Sequence, residues 1–256
     1  MYRQTNIFNC DCFWPSKPLG LVEFIGGSYF ASKPKVTYKT FIDKLLEKDL
    51  AVHAWTYIPR LDHQSQANNA WKDLRKARIN LEKRIGNEIQ YTLKIGHSLG
   101  SKLHLLSPDG GRKGQGFISI GFNNFGVKDS IPLIKELLPK IGLKSEFYPS
   151  PIKTLEIISS QYVQPKNLLI SFTDDKIDES RVLLRHLNLR RIDSSELIFI
   201  EGNHLTPVSM VAKSKLVRKT NYLYNKIELI DQLIEIIFKW SDNASFPQTI
   251  KDRSIF

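Results

Sequence analysis

The chain has 256 residues, 41% hydrophobic and 25% charged, which is the balance of a globular protein long enough for one sizeable α/β domain. Its formal net charge of +11 raises nucleic acid as a partner. However, the basic residues are spread over helical stretches such as Lys72–Arg84 and a late run from Lys213 to Lys219. They come without a zinc knuckle, a glycine-rich RNA signature or a long basic arm. The charge is read as solvated helix faces, with a weak attraction to anionic surfaces and no specific nucleic-acid partner.

The N-terminal MYRQTNIFNCDCFWPSK has no apolar leader core, and no later run reaches the roughly 18 apolar residues of a membrane span. A cytoplasmic protein without a transmembrane segment is expected. Cys10 and Cys12 stand one residue apart, where a disulfide would be strained, and two sulfurs with no nearby histidine make a poor zinc site. They are read as reduced thiols.

In chain order, Leu19–Ile25 is a short apolar run stopped by Gly26-Gly27, a buried strand ending in a turn. Tyr38, Phe41, Ile42, Leu45 and Leu46 recur at helical spacing, and Thr37 is placed to cap that helix. Leu50–Tyr57 reads as the next strand. Ala67, Ala70, Trp71, Leu74, Ala77 and Leu81 stripe a second helix that stops at Gly86, and Asp62-His63 at its start reads as a cap rather than a metal pair. Ile89–Ile95 then leads into Gly96-His97-Ser98-Leu99-Gly100.

Beyond that pentapeptide, Ser107–Gly116 is the most loop-like stretch, and Phe117–Phe122, Leu168–Phe172 and Leu197–Ile200 read as further strands. Helical patches surround Ile134–Leu138, Ile152–Ile158 and Arg181–Leu187, and a long helix covers roughly Tyr222–Trp240. Strands alternating with helices predict one domain over 1–256, with a mostly parallel sheet of six or more strands and helices on both faces. The Pro- and Gly-punctuated stretch 125–165 is longer than one crossover needs and is a candidate cap. Lys94, inside what should be the most buried strand, has no place in this pattern.

The pentapeptide reads as a nucleophile elbow, G-x-S-x-G, in which a sharp strand-to-helix turn lifts a serine hydroxyl out of the sheet. Gly96 and Gly100 remove β-carbons where strand and helix meet. Context has to carry it, and the strand ends supply that context. After Leu168–Phe172 comes Thr173-Asp174-Asp175-Lys176-Ile177-Asp178, and after Leu197–Ile200 comes Glu201-Gly202-Asn203-His204. The order Ser98, an aspartate, His204 suits a serine activated by an imidazole that a carboxylate orients. Asp175 is the first choice for the acid. Asp174 and Asp178 remain open, Asp178 also serving as a helix cap. Two amides must receive an oxyanion: Leu99, directly after the serine, and one from the turn Gly26-Gly27-Ser28, with Gly27 and Ser28 as candidates. His53, His97 and His104 are read as structural, and no cofactor or metal motif is present.

The elbow GHSLG, the turn FIGG, the acid loop and GNHLTP resemble the α/β-hydrolase superfamily. More narrowly, FIGGSYF, DHQ at 62–64, GHSLGSKLHLL, FNNFG at 122–126 and HLTP resemble an uncharacterised family of cyanobacteria and plastids, classed as a domain of unknown function. The likeness runs from about residue 18 to about residue 210. It implies a hydrolase-type sheet with Ser98 as nucleophile, Asp175 as acid and His204 as base, and it implies no substrate. The leading expectation is a serine hydrolase acting on an acyl bond of a small molecule or lipid. The alternative is a hydrolase fold that has lost catalysis and serves as a binding or assembly module.

Overall fold

The computed structural model describes residues 2–126, 146–209 and 220–242. Its strands are β1 (Arg3–Ile7), β2 (Cys10–Trp14), β3 (Gly20–Ile25), β4 (Leu50–Trp55), β5 (Thr92–His97), β6 (Gly116–Ile120), β7 (Lys166–Phe172) and β8 (Ser194–Ile200). The helices are α1 (Pro34–Thr37), α2 (Lys39–Glu47), α3 (His63–Ile85), α4 (Leu99–Leu105), α5 (Pro151–Gln161), α6 (Ser180–Leu187) and α7 (Thr220–Asp242). The eight strands make one sheet in the order β1-β2-β4-β3-β5-β6-β7-β8. From β4 to β8 every neighbouring pair is parallel, while β1 and β2 add an antiparallel edge.

Period-two alternation within the strands divides the core between the two faces of the sheet. On β3, Val22 and Phe24 pack toward α2 and α7, against Phe41, Leu45, Leu233 and Ile237. Leu21 and Ile25 point the other way, toward the alanine-rich stripe of α3 and toward Leu99 and Leu103 of α4. The small Ala67, Ala70 and Ala77 let α3 sit close to the sheet, and Gly86 at φ +72° ends that helix as its C-cap. Farther along the same face, α5 and α6 bury Ile158, Leu183 and Leu187 against Phe117 and Leu169.

The connectivity makes one crevice. From β3 the chain passes outward to β4, then crosses back to form β5 on the other side of β3. Where the strand order reverses, loops leaving adjacent carboxyl ends diverge and open a cleft. The two loops that meet there are Gly26-Gly27-Ser28, after β3, and Ser98, after β5.

Four points differ from the sequence reading or add to it. The edge hairpin β1–β2 has no counterpart in the apolar pattern, because β1 is largely exposed and its turn carries no Asn-Gly or Gly signal, placing Phe8 at φ +54° instead. Thr37 does not cap α2. It ends α1, and its hydroxyl donates to the Phe30 and Lys33 carbonyls. Lys94 is buried but not isolated: its ammonium donates to both oxygens of Asp109, at 3.1 and 2.9 Å, from the loop that had looked merely polar. Of the candidate cap at 125–165, residues 151–161 form α5. Residues 127–145, including the helical patch at Ile134–Leu138, lie outside the described residues.

Cys10 and Cys12 project from β2 into the core as free thiols. Burial pushes both thiols up, Cys12 to about 12, so they stay protonated. Among the described residues no helix is long and apolar enough to cross a membrane.

Candidate active site

Ser98 adopts φ +54° and ψ −124°, one of three non-glycine residues at positive φ among those described. That conformation costs roughly 1–3 kcal/mol and persists only where the surroundings enforce it. The enforcement is visible on both sides. The Ser98 amide donates to the Ile120 carbonyl at 2.9 Å, which continues the β5–β6 ladder, and its carbonyl accepts from Ser101 at 3.0 Å, which starts α4. The flanking glycines are required by contact distance. A β-carbon on Gly96 would lie 2.4 Å from the Ser101 Cα, and one on Gly100 would lie 1.9 Å from the Ile25 carbonyl oxygen.

The loops after β7 and β8, which carry Asp175 and His204, are joined before their side chains meet. Thr173 donates to the Ile200 carbonyl at 3.0 Å and Asp174 to the Gly202 carbonyl at 2.9 Å, extending the β7–β8 pairing past the strand ends. This leaves the Asp174 side chain exposed and turns Asp175 inward. His204 Nδ1 donates to Asp175 Oδ2 at 2.7 Å, with the carboxylate 0% and the imidazole 16% exposed. The other Asp175 oxygen accepts from the Ile177 amide at 3.1 Å. Asp178 is occupied elsewhere, accepting from the Ser180 amide at the start of α6. Gly121, at φ +56°, makes room for the pair: a β-carbon there would lie 3.1 Å from Asp175 Oδ2 and 3.2 Å from His204 Nδ1.

Ser98 and His204 line one cleft of about 960 Å³, open solvent included. Among the described contacts no hydrogen bond joins them directly. Catalytic hydrogen bonds commonly tighten only when a substrate is present. With Nδ1 bonded to Asp175, His204 is left with Nε2 as its accepting nitrogen.

The two predicted amide positions after β3 separate. The Gly27 amide is engaged, donating to the Tyr38 hydroxyl at 2.7 Å, which corrects its expected role as an oxyanion donor. The amides of Ser28 and Leu99 have no protein acceptor among the described contacts, and both residues line the cleft. The Tyr38 hydroxyl lies 2.8 Å from His97 Nδ1, and His97 Nε2 lies 2.9 Å from the His204 carbonyl oxygen. One assignment satisfies every group: Gly27 N–H to Tyr38 Oη, Tyr38 O–H to His97 Nδ1, and His97 Nε2–H to the His204 carbonyl. Burial, and then His204, hold His97 well below the ordinary histidine pKa, so it remains neutral as this chain requires. The sequence reading takes His97 as a structural residue. Its link to Tyr38 has no local signal, since the two are 59 residues apart.

Two more residues of the cleft were missed, Lys102 and His63. His63 begins the helix read for its apolar stripe, and Lys102 follows the elbow with nothing in the sequence to single it out. Asp62 caps α3 as predicted, accepting from the Ser65 amide at 2.8 Å. His63 next to it is buried and stacks on Phe147, ring centroids 4.4 Å apart. Among the described residues no group of three or more His, Cys, Asp or Glu is placed to hold a metal ion.

A mostly parallel sheet with this strand order, a sharp serine turn after β5, and aspartate and histidine loops after β7 and β8 make the molecule an α/β hydrolase by fold. Solved structures agree. A carboxyl esterase from the fungus Tuber melanosporum superposes with a TM-score of 0.62 at 16% identity, covering 91% of this chain and 86% of that one. An esterase domain from Rhodothermus marinus gives 0.58 at 16% identity, covering 94% and 98%. A Pyrococcus furiosus esterase gives 0.56 at 13% identity, covering 91% and 92%. No curated protein matches the sequence. The chain belongs to the family described as "Protein of unknown function (DUF1350)", whose model matches residues 6–232.

Proposed function

We propose that the chain is a serine hydrolase that cleaves an ester, thioester or related acyl bond through an acyl-enzyme. The observation that carries this reading is the His204–Asp175 pair, its carboxylate out of solvent, opening onto the cleft that holds Ser98. Serine is a weak nucleophile until an imidazole takes its proton. His204 Nε2 is the base, and Asp175 holds the tautomer and stabilises the imidazolium that forms. Attack of Ser98 Oγ on the acyl carbon turns the carbonyl oxygen into an oxyanion, which the Leu99 and Ser28 amides receive. Collapse breaks the bond to the leaving alcohol or thiol, which takes the proton from His204. A water molecule, deprotonated by the same imidazole, then releases the acid from Ser98.

Phe30, Leu61, Phe125 and Leu205 give the cleft apolar walls that suit the acyl part of a small molecule or lipid. The esterase activities named for proteins of the same fold support this reaction class. A fluorophosphonate probe tests it: the native protein is labelled at Ser98, and Ser98→Ala is not. Folded protein that never reacts would instead point to a hydrolase fold kept as a binding or assembly module.

A further inference from the structure

Lys102 is the charged group in the cleft that the proposed reaction leaves unused. It lies on α4 four residues past Ser98, about one helical turn, and lines the same cleft although it is only 1% exposed. Among the described residues its Nζ has no hydrogen-bond partner. The contact it does make is with the ring of Phe147, whose centroid is 5.8 Å away. Lys94 shows the contrast, since it is also buried but its ammonium meets both Asp109 oxygens. An ammonium held out of water without a hydrogen-bonded counter-ion is costly, and a site that keeps one is set up to receive an anion.

The surroundings favour the same partner. His63, stacked on Phe147, also lines the cleft, and neither of its ring nitrogens has a hydrogen-bond partner among the described residues. Burial, and then Lys102, push it down to about 3, so it is neutral and offers one N–H donor. Arg60 stands exposed at the rim. Two carboxylates act on Lys102 without hydrogen-bonding to it. Glu179 accepts from the Asn124 amide at 2.6 Å, and Glu146 accepts from the Phe147 amide at 2.8 Å.

We infer that Lys102 is the seat for a negatively charged oxyacid group, a carboxylate or a phosphate, carried by the acyl substrate. The substrate class is then an anionic ester or thioester rather than a neutral one, an assignment that rests on the hydrolase reading above. Burial pushes the Lys102 ammonium down to about 8 against the pull of Glu179 and Glu146. It is therefore charged at neutral pH and loses that charge a little above it.

The test compares a neutral p-nitrophenyl acyl ester with two of matched length, one ending in a carboxylate and one in a phosphate. The ratio of kcat/KM between charged and neutral esters is the readout. Wild type prefers at least one charged ester by about tenfold or more, the worth of one charged hydrogen bond. Lys102→Met brings the ratio near one, Lys102→Arg restores part of it, and in wild type it declines above about pH 8. The favoured ester says which oxyacid the site takes. A wild-type ratio near one, or an unchanged ratio in Lys102→Met, overturns the inference while leaving labelling of Ser98 intact. If no ester is turned over and Ser98 is never labelled, the hydrolase reading falls. Calorimetric titration of Ser98→Ala with glutarate and with inorganic phosphate then decides the site by itself. Binding that Lys102→Met abolishes upholds it, and binding of neither anion removes it.

Discussion

The Tyr38 hydroxyl sits 2.8 Å from His97 Nδ1, so a residue at the start of α2 sets the tautomer of the histidine beside Ser98. His97 in turn donates to the backbone of His204, and Tyr38 accepts from the amide beside Ser28. A single buried hydroxyl thereby ties together the three loops that the proposed reaction uses.

Tyr38→Phe keeps the ring and removes that tie, leaving the Gly27 amide and His97 Nδ1 unpaired in the interior. A loss of about 1–3 kcal/mol in stability is expected from the unsatisfied groups. A drop in kcat larger than any rise in KM should accompany it, because the Ser28 amide and His204 lose their positioning. Urea melts and steady-state kinetics on an ester read both effects. An unchanged kcat would reduce Tyr38 to a packing residue.

Asp175→Asn should preserve the fold and lower turnover by up to about ten-thousandfold, since an amide can no longer hold the His204 tautomer. Asp174→Asn alters an exposed side chain and should stay within about twofold of wild type. Kinetics of the two variants on the same ester separate them. Equal rates for Asp175→Asn and wild type would remove Asp175 from the site.

Gly100→Ala forces a β-carbon to within 1.9 Å of the Ile25 carbonyl oxygen, a backbone atom that cannot rotate away. About 3 kcal/mol or more of stability should be lost, seen as a fall in Tm of roughly 6–12 °C for a chain of this size. Gly86→Ala meets no neighbouring atom and carries only the strain of φ +72°, so its fall in Tm should be clearly smaller.

Asp109 carries an acid-dependent part of the stability. Burial alone would raise its pKa, but Lys94, through charge and hydrogen bond, together with Ser107 and Gly111, outweighs that and lowers it. A carboxylate with a depressed folded pKa stabilises the fold above its unfolded value, near 3.9, and that contribution is lost as pH falls through the folded value. Asp109→Asn should therefore flatten the acid limb of a stability–pH curve. At neutral pH it should also cost about 3–5 kcal/mol, because Lys94 is left buried without its partner. A mutant curve parallel to wild type below pH 4 would show that other groups carry the acid limb.

What the sequence by itself determined is what neighbouring residues encode. The elbow needs missing β-carbons at Gly96 and Gly100, and the turn at Gly86 needs a left-handed backbone. The strand and helix order follows from apolar periodicities within single segments. Asp175 is preferred over Asp174 because it lies far enough past the strand for the loop to turn it toward His204; in the structure the Asp174 side chain is exposed and the Asp175 side chain is buried. Tertiary structure decided what depends on residues far apart. It engaged the Gly27 amide with Tyr38, gave Lys94 its hydrogen-bonded carboxylate, paired the polar β1 with β2, and buried Lys102 with no hydrogen-bond partner among the described residues. Burial and partnership are set by whichever distant segment folds over a side chain. A lysine therefore looks the same in sequence whether it meets water, an aspartate or the wall of a cleft.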